Sequence, residues 1–215
     1  MVKLLQEAKS LRDLPALSAG DSMLMGDTAL ENVFTCQPQH QNMHGRVFGG
    51  FIMRRVFELA FSTCYLFAGT RPGFFGEKHL SSKLHRTLLP NERSNALEGM
   101  DEISFKRPVD VGDLLRIHTQ VVHVEPLPSP GRSRVHIEAV VSVTRPETAS
   151  SVVSNSLNLS FDVRNTSPGI IPDLRNEPVP LGVQVTASEG RRLKRVLPST
   201  MEEAAKLRRW LGPAA

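Results

Sequence analysis

Residues 44–51 read HGRVFGGF, and the chain continues from there as IMRRVFELAFSTCYLFAG. This glycine-opened apolar run constrains the fold more than any other stretch. Its apolar positions 48, 52, 56, 59, 60, 63, 64 and 67 follow helical spacing, and Phe51, Phe57, Phe61 and Leu66 fill most of the rest. Only Arg54, Arg55, Glu58 and Ser62 interrupt it. The pattern predicts a helix buried on nearly all sides. Adjacent glycines cost a helix conformational entropy, so Gly49 and Gly50 at its mouth need a separate explanation.

A helix of this kind needs a sheet to lie on. Residues 29–36 read as a first strand, and residues 114–124 alternate with Leu115, Ile117, Thr119 and Val121 on one face. Beyond the loop PLPSPGR, Val135, Ile137, Ala139, Val141 and Val143 alternate in turn, followed by Leu157, Leu159 and Phe161. Three long consecutive strands imply an antiparallel sheet with one face on a core. For the order of strand, buried helix and strand meander, one compact solution wraps the sheet around the helix, which predicts an α+β layering of sheet on helix. We divide the chain into a connector over 1–28, with a short helix over 3–12, a single domain over 29–165, and an extended tail over 166–215. Residues 73–99 keep no period and read as an irregular insertion. The tail ends in a short helix, with a capping box expected from Ser199 to Glu202.

Composition narrows the function classes. The chain has 215 residues, with 26 Lys+Arg against 22 Asp+Glu, a mild excess that suits a polyanionic small ligand as well as nucleic acid. Aromatic residues are 6%, mostly Phe, which argues against a base-stacking surface and hence against a nucleic-acid partner. The two cysteines, Cys36 and Cys64, form neither a disulfide framework nor a zinc spacing. His118 and His123 differ by an odd number and are expected on opposite faces of a strand, so no metal site is expected. The stretch 47–69 carries Arg54, Arg55 and Glu58 and makes a poor membrane span. The expectation is an intracellular protein without signal peptide, cofactor or metal.

GxSxG, P-loop, GxGxxG, HExxH and CxxC signatures are all missing. The remaining candidates each have two readings. A carboxylate on a buried helix is desolvated, which raises its pKa and suits Glu58 to base work; equally, Glu58 is an i,i+4 partner for Arg54. Gly49 and Gly50 serve close packing of a helix end on a strand. Alternatively, Gly50 offers an unblocked N–H to a developing oxyanion. Asn42 either folds a turn through its side chain or orients a water or a carbonyl. Arg46, Arg54, Arg55, Lys106 and Arg107 are phosphate partners or solvated charges, and His44 is a neighbouring loop residue.

The segment QPQHQNMHGRVFGGFIMRRVFELAFSTCYLFAG, with DEISFKRPVDVGDLL after it, closely resembles the hotdog-fold acyl-CoA thioesterases. In particular it looks like the C-terminal hotdog of the two-domain group found in mitochondria and plants. The N-x-x-G-x-x-FGG motif, the acid in the following helix and F-x-x-P-V-x-V-G-D occur together and in order. The resemblance implies hydrolysis of fatty acyl-CoA to free acid and CoA across an interface between two hotdogs. It assigns catalytic roles to Asn42 and Glu58, and between them Gly50 is read as the backbone donor of the thioester site. Substrate contacts are expected from Gly49, His44, Arg46, Arg54, Arg55 and Lys106. It further implies a homodimer or higher oligomer and a mitochondrial or plastid matrix location, with the cytosol as the other compartment. The alternative is a non-catalytic hotdog module that binds acyl-CoA or partners a two-hotdog enzyme.

Overall fold

A computed structural model describes residues 1–13, 20–74, 107–128, 131–164 and 193–211. The apolar run forms helix α2, Gly49–Ala68, preceded by helix α1, Val2–Asp13. Gly69 ends α2 in the left-handed region at φ 68°, and its N–H returns to the Tyr65 carbonyl at 2.9 Å. Five strands make the main sheet: β2 (Leu30–Thr35), β4 (Leu114–Pro126), β5 (Arg132–Arg145), β6 (Ser150–Arg164) and β3 (Gly73–Phe74), in the order β2-β4-β5-β6-β3. Every neighbouring pair is antiparallel. The α+β architecture expected from the patterning is the one observed.

The side chains of α2 show why it lies where it does. Ile52, Val56, Ala60 and Cys64, spaced by four, are at most 2% exposed. They share one core with the inward residues Leu115, Ile117, Val121, Val135, Ile137, Leu159 and Phe161 of the sheet. Each such aliphatic or aromatic group contributes about 1.5–3 kcal/mol when fully buried. Thr63 adds a polar tie, its hydroxyl 2.7 Å from that of Thr119 and 2.9 Å from the Leu59 carbonyl.

The helix is not buried on nearly all sides, as its pattern predicts. One sheet covers one stripe; Phe51, Phe57 and Phe61 remain half-buried, while Tyr65 is 48% and Leu66 74% exposed. The two strand histidines also depart from expectation. Between Val121 and His123 the register shifts, so Val122 bulges and His123 pairs with His136 while His118 pairs with Val140. An extra residue resets the alternation, and both histidines fall on the outer face.

Chain ends cover that outer face. Strands β1 (Ser22–Leu24) and β7 (Arg195–Leu197) form a two-stranded parallel sheet, and helix α3 (Met201–Leu211) follows β7. From α3, Ala204 and Leu207 are buried, Trp210 lies 4.4 Å from the His136 ring, and Lys206 Nζ sits 2.9 Å from Glu138 Oε2. The capping box is one residue later than expected. The Glu203 N–H donates to Thr200 Oγ1 at 3.2 Å, and the Thr200 N–H donates to Glu203 Oε2 at 3.3 Å. Helix α3 begins at Met201, so Glu203, not Glu202, is its third residue. The insertion expected over 73–99 opens as β3; residues 75–99, DEISF at 101–105, Lys106 and the tail over 166–192 lie outside the described residues. No helix among the described residues is long and apolar enough to cross a membrane.

Candidate active site

The loop from β2 to α2 is clamped at both ends before any chemistry is considered. The Cys36 N–H donates to the Asp113 carbonyl at 2.9 Å, and the Gly112 N–H donates to the Cys36 carbonyl at 2.8 Å. Further on, the Val47 N–H reaches the Val109 carbonyl at 2.9 Å and the Phe48 N–H reaches the His40 carbonyl at 2.8 Å. The opposing segment is braced by its own side chains. Asp113 Oδ2 accepts the Asp110 N–H at 2.9 Å, and Arg145 grips Asp113 at 2.6 and 2.8 Å and Asp110 at 2.8 Å. The Arg145 guanidinium holds the Asp113 carboxyl below the usual carboxylate range. Gly112 turns the backbone at φ 98°, which any other residue adopts only with strain. The V-G-D residues therefore position the loop; nothing in the sequence pointed to Arg145, which is 32 residues away.

Asn42 builds the loop from inside. Its Oδ1 accepts the N–H groups of His44 at 2.9 Å and Arg46 at 3.2 Å, and its own N–H donates to the Arg46 carbonyl at 2.7 Å. With Oδ1 used twice by the turn, the side chain offers outward mainly the donor Nδ2. Of the two readings of Asn42, the turn is therefore the one its hydrogen bonds make. His40 stacks on Phe51 at 3.8 Å, while His44 is exposed.

The loop meets the start of α2 in an open cleft of about 310 Å³, lined by Asn42, Arg46, Val47, Gly49, Arg107 and Val109 among others. Four of the expected residues are thus placed around the loop, and Arg46 and Arg107 give the cleft a positive rim. Just before Gly49, the cap residue Phe48 supplies no side-chain acceptor. The first amides of α2, those of Gly49 and Gly50, carry donors that helix geometry leaves without an intrahelical partner. The Phe48 ring, 59% exposed, folds back over Gly50: a β-carbon there would lie 2.4 Å from it. The three atoms nearest that position all belong to this ring, not to a strand. A side chain at Gly50 would thus meet the Phe48 ring before any strand.

Glu58 stands apart from this cleft, two turns along α2. Its side chain is 41% exposed, and its oxygens accept from Arg54 Nε at 2.8 Å and Arg55 Nη1 at 3.0 Å. Hydrogen bonding from Arg54, ahead of that from Arg55, lowers its pKa; burial works the other way and loses. This reverses the expectation of a desolvated carboxyl with a raised pKa, because the helix face carrying Glu58 is not covered. Arg54 and Arg55 are committed to Glu58, and Arg55 also lies over the rings of Phe34 and Phe51 at 5.9 and 5.4 Å. The thiols are poor nucleophile candidates: burial pushes Cys36 up to about 11 and raises Cys64 further.

No protein-family model matches the chain. An acyl-coenzyme A thioesterase of Humulus lupulus, described as chloroplastic, is 40% identical over 204 residues, covering 95% of this chain and 37% of that protein. A mitochondrial acyl-coenzyme A thioesterase of the same plant is also 40% identical over 95% of the chain and 31% of its own length. The chain thus spans about a third of the length of these relatives. Among solved structures, an acyl-CoA hydrolase of Staphylococcus aureus superposes with a TM-score of 0.56 at 15% identity, covering 86% of this chain and 84% of that one. A hexameric acyl-CoA thioesterase gives 0.57 at 15% identity over 89% and 91%.

Proposed function

The chain is a hotdog-fold relative of the acyl-CoA thioesterases, and on that premise we propose that it hydrolyses fatty acyl-CoA to the free acid and CoA. The observation that carries the proposal is the cleft that Asn42 lines together with Gly49, the first residue of the uncapped helix α2 and the neighbour of Gly50. In this reading the thioester carbonyl oxygen accepts from the Gly50 N–H and from Asn42 Nδ2, donors aimed at the charge that develops on it. The carboxylate of Glu58, ionised at neutral pH, takes a proton from the attacking water. The water oxygen bonds to the carbonyl carbon, the C–S bond breaks, and the departing sulfur receives the proton from Glu58.

Because Glu58 lies outside the cleft of its own chain, a second hotdog domain supplies it, in a homodimer or a higher assembly. The half-covered flank of α2, from Phe57 and Phe61 to the exposed Tyr65 and Leu66, supports such a pairing. In this account Arg46 and His44 serve the substrate, and Gly49 lets it approach. The exposed Arg54 swings from Glu58 when substrate enters, and Arg55 stays to orient the carboxylate. Lys106 joins them as a phosphate partner. Residues 29–165 are the hotdog unit, and the plant relatives favour a mitochondrial or plastid matrix location.

The two ion pairs on Glu58 favour one other reading, a non-catalytic hotdog module that binds acyl-CoA or partners a longer enzyme. Thiol release from acyl-CoA by the purified chain separates the two. Turnover that Glu58→Ala abolishes without changing the oligomeric state supports hydrolysis. No turnover by the wild-type chain in any oligomeric state supports the module.

A further inference from the structure

At the far end of α2 the chain builds a second cleft, of about 240 Å³, between residues 71–73 and the ends of β5 and β6. A helix of 20 residues separates it from Gly49, about 30 Å at the usual rise. Three arginines line it: Arg71, Arg132 and Arg164. Arg132 and Arg164 are register partners, directly opposite each other on neighbouring antiparallel strands. Like charges so placed repel, and their β-carbons stand only about 5 Å apart.

The local carboxylate does not relieve this repulsion. Asp162, in the same cleft, receives Arg134 Nε at 2.9 Å, and both side chains are at most 20% exposed. Among the described residues, no ion pair joins Arg71, Arg132 or Arg164 to an acid. This end of the sheet therefore places three arginines around a concave space, at a cost to folding that a bound anion would offset. Guanidinium forks match the paired oxygens of a phosphoryl group and bind it through charge-assisted hydrogen bonds.

We propose that the Arg71–Arg132–Arg164 cleft is a binding site for a phosphate group, separate from the cleft at the N-terminus of α2. The chemistry admits two sources: free inorganic phosphate, or the phosphorylated nucleotide end of a CoA-like molecule. The site's existence does not depend on turnover, so binding is measured directly.

The test uses the full chain and isothermal titration calorimetry with inorganic phosphate, then with adenosine 3′,5′-bisphosphate, each at matched ionic strength. Wild type is expected to bind one or both saturably. Loss of a charge-assisted contact weakens binding by about tenfold or more in Arg132→Gln and in Arg164→Gln. Arg71→Gln, outside the strands, gives the same loss if either strand variant folds poorly. Thermal unfolding adds an independent readout. In phosphate-free buffer Arg132→Gln melts no lower than wild type, because a repulsion is removed, and phosphate raises the melting temperature of wild type alone. Binding by inorganic phosphate marks a free-anion site, and binding by the bisphosphate alone marks a nucleotide site. No saturable binding of either ligand by wild type, or equal binding by all three variants, overturns the proposal.

Discussion

Gly50→Ala separates the two explanations for the glycine pair. In the helix an alanine is worth up to about 1 kcal/mol more than a glycine, less in the first turn than in the interior. Against this stands the Phe48 ring, 2.4 Å from where the methyl group would sit. That ring is 59% exposed and contacts the site with its far edge, so it turns away at a cost of about 0.5–1.5 kcal/mol even if it ends off-rotamer. The two effects nearly cancel. Stability in urea should change by less than about 1 kcal/mol, and the melting temperature by less than about 4 °C. Activity should not survive so well. The new methyl and the displaced ring both crowd the Gly50 amide, and losing a single oxyanion donor costs on the order of 10²–10³ in kcat. Parallel urea melts and thiol-release assays read both quantities. Near-normal turnover would refute the donor role of Gly50. A loss of stability above about 2 kcal/mol would show that the glycine is a packing device after all.

Three other outcomes are expected. Arg54 is the largest cause of the lowered Glu58 pKa, so Arg54→Ala should move the acid limb of the kcat/KM profile to higher pH; an unmoved limb would remove Glu58 from the rate-determining ionisation. Burial lowers the His136 pKa against the opposing pull of Glu125, with His123 and Arg134 also facing the ring. The neutral ring is therefore favoured in the fold, and its contribution is present above the unfolded value of about 6.5 and lost as pH falls below it. Trp210, the one tryptophan, packs on His136 beside the Lys206–Glu138 pair, so its fluorescence should shift as pH falls below about 6.5. A flat trace, or an identical trace in His136→Asn, would contradict this. Phe161 is fully buried and its ring centroid lies 5.8 and 6.2 Å from those of Phe57 and Phe61, so Phe161→Ala should cost about 3–5 kcal/mol in a urea melt.

The helix and the strand meander were legible because each writes its period into the sequence. Ile52, Val56, Ala60 and Cys64 mark the covered stripe of α2, and Val135 to Val143 mark one face of β5. Long-range facts left no such trace. The hand-hold of Arg145 on Asp113 and the pairing of Ser22–Leu24 with Arg195–Leu197 join residues far apart in the chain, and only the folded sheet brings them together. The bulge at Val122 was hidden because β-branched residues read alike on either face, so His123 was expected on the wrong side. The environment of Glu58 was misjudged for a related reason. An apolar helix pattern reports that faces will be covered, not whether the same chain covers them. The exposed flank with Tyr65 and Leu66 leaves Glu58 to its two arginines. The site loop was the reverse case, since the short spacing of Asn42, Arg46 and Gly49 in the chain brings all three to one cleft.

The central claim is that Asn42 and Gly50 of one hotdog act with Glu58 of another. Complementation between two inactive variants tests it most directly. Asn42→Ala and Glu58→Ala chains are purified separately, mixed under conditions that exchange subunits, and assayed for thiol release from acyl-CoA. The account predicts that each variant alone is inactive and that the mixture regains turnover, because a mixed pair holds one intact site. A mixture as inactive as its components, with subunit exchange confirmed by mass-tagged chains, would contradict the shared site.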